Sequence, residues 1–204
     1  VSPSGRYVIV FNGEIYNHLE LREALPEGKW RGHSDTETLL AAFECGGVEA
    51  ALKKSVGMFA IALWGRESRT LTLGRDRLGE KPLYYGWQNG VLLFGSELKA
   101  LRAHPAFQGV INRDALTLFL RHNYVPVPYS IYRGINKLPP GTFLQVNASA
   151  ALASSSEIHP VSYWSAREVA EIGQANLFRG SDNDACEALE AVLGQSIRGQ
   201  MLAD

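Results

Sequence analysis

Four short apolar runs, set in two pairs around polar turns, limit what this chain can fold into. Met58 to Trp64 and Leu71 to Arg75 flank one turn, and Leu83 to Trp87 and Val91 to Phe94 flank Gln88-Asn89-Gly90. Apolar runs paired in this way read as hairpins, and hairpins build antiparallel sheet. Tyr7 to Phe11 reads as a further buried strand, stopping at the turn signal Asn12-Gly13. Helical patterns fall between and after the strands. A short helix carries Leu21, Ala24 and Leu25 on one face and ends before Pro26. A second starts near Asp35, opened by the capping-box pattern Ser34-Asp35-Thr36-Glu37 and closed by Gly46-Gly47. Ser96 to Ala103 and Arg113 to His122 read as helices, and Gly141 to Val146 as another strand. Without alternating β-α-β units, the pattern predicts an α+β fold rather than a doubly wound sheet.

Further along, Asn147 to Ser156 is almost all Ala, Ser and Leu, which predicts a mobile surface loop. Its Asn147-Ala148-Ser149 sequon reads as chance, because no secretion signal accompanies it. After Trp164 the sequence is polar and irregular up to Asp184, and a domain boundary is expected there. Asp184 to Leu202 then reads as an amphipathic helix, with Leu189, Val192, Leu193, Ile197 and Met201 near helical spacing and Asp184 and Glu187 placed as a capping box. Val1 stands where an initiator methionine would, and only Ala203 and Asp204 follow the last helix, so both ends read as cuts in a longer protein.

Composition narrows the class. The chain has 204 residues, 46% hydrophobic and 20% charged, with a formal charge of -1. That is enough for a domain of about 150 residues with its own core. The basic footprint of a nucleic-acid binder is missing. No apolar stretch approaches the roughly 20 residues that span a bilayer. Cys45 and Cys186 are the only cysteines, which fits a reducing compartment, and the expected location is the cytoplasm.

Three segments are candidates for chemistry. A strand ending in Asn12-Gly13 can present a side-chain amide beside a backbone N–H, two donors for a developing oxyanion in acyl transfer; an ordinary hairpin turn is the other reading. Asp35 at a helix start can cap backbone amides, or point outward and bind an ammonium. Arg75 to Tyr85, with its charges followed by Gly79 and Pro82, reads as a solvated turn leading into strand tyrosines. His18, His33, His104, His122 and His159 show no metal-ligand spacing, so no metal site is expected. Both cysteines read as packing residues, and no glycine-rich phosphate loop occurs.

In order, Asn12-Gly13-Glu14-Ile15-Tyr16-Asn17, Ser34-Asp35-Thr36-Glu37, Gly57-Met58-Phe59-Ala60, Gly74 to Tyr85, Ser96-Glu97-Leu98-Lys99-Ala100-Leu101, Leu138-Pro139-Pro140-Gly141 and Tyr163-Trp164 closely resemble the class II glutamine amidotransferase domain of glutamine-dependent asparagine synthetases. The resemblance runs from about Tyr7 to Trp164 and resumes in the last helix. It implies the N-terminal-nucleophile hydrolase fold, a four-layer α-β-β-α sandwich of two antiparallel sheets, here truncated at its N-terminus. It divides the chain into an amidotransferase domain over 1–165, a linker over 166–183, and the first helix of an ATP-using synthetase domain over 184–204.

The same resemblance implies glutamine as substrate, with Asn12 and Gly13 as the oxyanion hole, Glu14 at the glutamine-binding strand end, and Asp35 as acceptor for the substrate α-ammonium. Members of the family attack glutamine with an N-terminal cysteine whose α-amine serves as base. Val1 cannot replace it, so the chain by itself is expected to be inactive. ATP and Mg2+ would act only in the full-length enzyme, outside these residues. The expected partners are glutamine and the protein's own synthetase domain, with a homodimer left open and neither nucleic acid nor membrane involved. Alternatives are another amide-forming synthetase, acting on a sugar acid or closing a β-lactam, and a non-catalytic relic of the fold. Glucosamine-forming and phosphoribosyl amidotransferases share the fold, and the Leu-Pro-Pro-Gly and Tyr-Trp pattern favours the asparagine branch.

Overall fold

The computed structural model describes residues 1–26, 30–148 and 159–201. In chain order the strands are β1 (Tyr7–Ile15), β2 (Gly57–Gly65), β3 (Thr70–Arg75), β4 (Tyr84–Gln88), β5 (Val91–Gly95), β6 (Asn136–Lys137), β7 (Thr142–Asn147) and β8 (Val161–Ser162). The helices are α1 (His18–Glu23), α2 (Asp35–Gly46), α3 (Val48–Lys54), α4 (Leu98–Arg102), α5 (Arg113–His122), α6 (Ala166–Ala175) and α7 (Asp182–Gln200). They belong to two compact units, one of Val1–Gly13 with Met58–Tyr163, the other of Glu14–Gly57 with Trp164–Asp204.

The first unit is built on two antiparallel sheets, one ordered β1-β2-β3-β7-β8 and one ordered β5-β4-β6. Both expected hairpins form, with Trp64 opposite Leu71 and Gln88 opposite Val91. Asn89 and Gly90 turn the second one at φ of 47° and 75°, the pair of left-handed residues that a two-residue turn between right-twisted strands requires. The core lies between the sheets. Ala60, Ala62, Leu73, Leu144 and Val146 of the larger sheet meet Tyr85, Trp87 and Leu92 of the smaller one, with Leu83 and Leu138 beside them. Leu73, Leu138 and Leu144 are fully shielded from solvent. Each such side chain contributes about 1.5–3 kcal/mol of transfer free energy. Helix α5 has the bounds its sequence predicts: the Asn112 side chain caps its start, accepting from Asp114 and Ala115 amides, and Asn123 ends it at φ 60°.

In the second unit α2 packs on α1 and α3. Leu21, Leu39, Leu40, Phe43 and Leu52 are buried there. The Ser34 hydroxyl accepts from the Glu37 amide and caps α2 as predicted, but Glu37 does not close the box. Its carboxylate instead accepts from the Arg31 amide at 2.7 Å and the Gly32 amide at 2.9 Å.

Several elements depart from the sequence reading. Strand β1 does not stop at Asn12-Gly13 but runs through both to Ile15. The stretch read as irregular after Trp164 contains α6, started by the Ser165 hydroxyl accepting from the Glu168 amide. The last helix begins earlier than expected. Its capping box is Ser181 with Asp184, not Asp184 with Glu187. Strands β6 and β8 have two residues each and carry no periodicity to detect. The surface loop expected over 147–156 lies outside the described residues from 149 on, as do Ser149 of the sequon and Leu202.

Candidate functional site

Asn12, Gly13 and Glu14 are consecutive residues of β1. Gly13 adopts φ 150°, and a Cβ placed on it would lie 2.0 Å from the Met58 carbonyl oxygen and 2.6 Å from Phe59 Cα. Only glycine permits both the dihedral and this approach of the β2 backbone. The hairpin-turn reading of Asn12-Gly13 is therefore overturned by a glycine serving close strand contact. The Asn12 side chain is exposed, and its carboxamide N–H donates to Ser96 Oγ at 3.1 Å.

Asp35 is 7% exposed, and its carboxylate does not cap its own helix. Its Oδ2 accepts the backbone N–H of Ile15, the last residue of β1, at 2.9 Å, and its Oδ1 accepts from the Thr36 hydroxyl at 3.2 Å. The carboxylate thus ties the start of α2 to the end of β1. A carboxylate has about four acceptor positions, so capacity remains for a cationic donor.

The approach to Asp35 is held by a residue that sequence reading did not mark. From α1, Arg22 donates through Nε to Thr38 Oγ1 at 3.0 Å and through its terminal nitrogens to the Gly32 and Ser34 carbonyls at 2.9 and 3.2 Å. The guanidinium stacks over Trp30 at 4.2 Å and lies 3.7 Å from the Glu37 carboxylate. The Arg31 amide, helped by Gly32 and Arg22 against burial, holds the Glu37 carboxyl below its ordinary range. Nothing in the local pattern identifies Arg22, because its hydrogen-bond partners lie 10 to 16 residues away.

The segment after β3 is only partly the solvated turn expected: Leu78, Glu80 and Pro82 are exposed, but Arg75 and Asp76 at its start are buried. Asp76 is fully buried and accepts from the backbone amides of Phe59, Leu78, Glu80 and Lys81. Arg75 donates to the carbonyls of Lys81, Leu138 and Gly79. The Tyr163 hydroxyl donates to the Arg75 carbonyl at 2.8 Å. Burial, with Asp76 nearby, pushes the Tyr163 phenol well up, and burial pulls the Arg75 guanidinium down. These side chains replace the regular ladder where the chain leaves β3, so the segment has structural work that accounts for its charges.

The remaining candidates separate from these. Cys45 and Cys186 are exposed on α2 and α7. Cys45 is ten residues from Asp35, about 15 Å along the helix. A cavity of about 430 Å³ opens among Tyr84, Leu98, Leu116, Phe119, Tyr124 and Lys137, and none of Asn12, Gly13, Glu14 or Asp35 lines it. Among the described residues no cluster of His, Cys, Asp and Glu is placed to hold a metal ion, and no helix is long and apolar enough to cross a membrane.

The pattern that defines the glutamine amidotransferase domain matches residues 1–159. Asparagine synthetase [glutamine-hydrolyzing] 1 of Bacillus subtilis is 41% identical over 140 residues, covering 67% of this chain and 22% of its own length. Asparagine synthetase [glutamine-hydrolyzing] 2 of the same organism is 30% identical over 174 residues, covering 83% and 22%. A Mycobacterium bovis relative aligns with 98% of the chain at 34% identity, over 30% of its own length. Among solved structures, the glutamine phosphoribosylpyrophosphate amidotransferase from B. subtilis superimposes with a TM-score of 0.52 at 16% identity, over 80% of this chain and 30% of its own, a likeness of fold. The chain spans between 22% and 30% of the length of these curated relatives.

Proposed function

The chain belongs to the glutamine amidotransferase domain family, and we propose that it supplies ammonia from glutamine within a longer, asparagine-forming ligase. The kinship to glutamine-hydrolysing asparagine synthetases, at 30–41% identity, carries this reading. The two-sheet α+β fold, shared with a solved amidotransferase, agrees with it.

In the proposed mechanism the substrate glutamine places its α-ammonium on Asp35, a buried carboxylate with unused acceptor positions. Glu14, next to the strand end that Asp35 ties down, contributes to the same substrate. Attack of a thiolate on the side-chain carboxamide carbon breaks the carbonyl π bond and puts negative charge on its oxygen. The Asn12 carboxamide and the Gly13 N–H are the donors for that oxygen. The α-amine that took the thiol proton returns it to the leaving nitrogen, so collapse expels ammonia, and water then releases glutamate from the thioester. Neither Cys45 nor Cys186 is assigned as nucleophile; that role is proposed for an N-terminal cysteine of the longer protein. ATP and Mg2+ are likewise proposed for the part of the longer protein beyond these residues, and no residue set here is assigned to them.

The test uses the protein extended to the length of its relatives, assayed for glutamate released from glutamine and for asparagine formed from aspartate and ATP. Asp35→Asn keeps size but removes charge. A charge-assisted hydrogen bond contributes about 1.5–3 kcal/mol, so KM for glutamine should rise by roughly tenfold to a hundredfold. Asn12→Ala should instead lower kcat by about a hundredfold to a thousandfold. Folded variants that both retain the parent's kcat and KM overturn these assignments. Glutamine hydrolysis without asparagine formation overturns the proposed acceptor.

A further inference from the structure

We propose that Ser96 is a positioning residue for the oxyanion donor, holding the Asn12 carboxamide by one N–H so that the other points to substrate; this rests on the role proposed for Asn12 above. The two residues are 84 positions apart, and their contact is the 3.1 Å hydrogen bond from Asn12 Nδ2 to Ser96 Oγ. Asn12 is exposed on β1, and the terminal torsion of an asparagine is broad and roughly two-fold. A free carboxamide therefore samples the flipped arrangement, in which Oδ1 and its lone pairs replace the donor. Facing an oxyanion, that arrangement repels where the other attracts. A hydroxyl oxygen accepting one N–H of the planar amide fixes the direction of the other N–H as well. The bond to Ser96 thus holds the amide plane with its second N–H directed away from Ser96, as a donor for substrate.

The seryl side is itself anchored. Ser96 follows β5 directly and stands two residues before α4. Gly95 lies where an added Cβ would come within 3.0 Å of Leu101 Cδ1, so the chain is pressed against α4 at this point. Leu101 belongs to a buried cluster with Leu93 and Ile135, which fixes α4 on β5. The backbone that carries the Ser96 hydroxyl is thus held in place on β5 and α4.

The experiment is a double-mutant cycle in the extended protein, read as steady-state glutaminase kinetics. Ser96→Ala should lower kcat about tenfold while KM for glutamine changes less than about twofold, the signature of an interaction used in the transition state. Ser96→Thr keeps an acceptor hydroxyl and should recover most of the turnover. In an Asn12→Ala background, Ser96→Ala should cost nothing further, because two residues that act through one contact do not add. A Ser96→Ala loss of equal size in both backgrounds overturns the inference and leaves the role of Asn12 standing. A rise in KM without loss of kcat, or failure of Ser96→Thr to recover, also overturns it. Full turnover in Asn12→Ala alone overturns the role of Asn12, and the inference with it.

Discussion

An alanine methyl at position 13 would sit 2.0 Å from the Met58 carbonyl oxygen, at a φ of 150° that side chains rarely adopt. Neither strain can relax alone, because the obstacle is the backbone of β2 and not the end of a flexible side chain. Gly13→Ala is expected to destabilise the chain by about 3 kcal/mol or more, from dihedral strain and overpacking together. Chemical denaturation measures this directly. A loss below about 1 kcal/mol would mean that β1 and β2 separate at little cost. The same glycine illustrates how a residue proposed for catalysis is chosen first by the fold: the Gly13 N–H stands where it does because the strand passes too close for any other residue.

At the scale of elements, the loop before α2 depends on one side chain from α1 and one from α2. Arg22 holds two carbonyls of that loop and Glu37 holds two of its amides. Because the folded state keeps the Glu37 carboxyl below its ordinary range, its deprotonated form is the stabilising one. That contribution is complete above the unfolded value, about 4.3, and fades as the pH falls through the lower folded value. The melting temperature of the parent should therefore exceed that of Glu37→Gln near neutrality, with the gap closing below about pH 4. A gap unchanged from pH 7 to pH 3 would rule out the charged carboxylate as the source.

At the scale of the whole molecule, the packing between the two sheets of the first unit is a main apolar core. Leu144 of β7 is fully buried, directly across from Leu73 of β3, in the cluster that includes Tyr85 and Trp87 of the smaller sheet. Leu144→Ala removes apolar contact and leaves a cavity among the side chains of that cluster. It should cost about 2–5 kcal/mol, read from equilibrium unfolding. Leu120→Ala on α5, at 74% exposure, should change stability by less than about 0.5 kcal/mol and serves as the paired control.

Much of this architecture is legible along the chain alone. Asn89-Gly90 marks a hairpin because two left-handed residues in succession are a local demand, and Asn112 and Asn123 bracket α5 because caps and stops act within one turn of helix. The resemblance to amidotransferases is likewise carried by short runs in order. What no local pattern contains is which polar groups become buried, and against what. Asn12-Gly13 has the composition of a turn, and only the β2 backbone lying against it turns it into the interior of a strand. Asp35 looks like a helix cap, yet its carboxylate spends one oxygen on Ile15, twenty residues back. Asp76 looks solvated, yet it is buried under four backbone amides. Ser96 finds Asn12 across 84 residues. Secondary structure follows from interactions between near neighbours in sequence and can be read there; hydrogen bonds that close long loops exist only once packing has brought their ends together, so tertiary structure alone decides them.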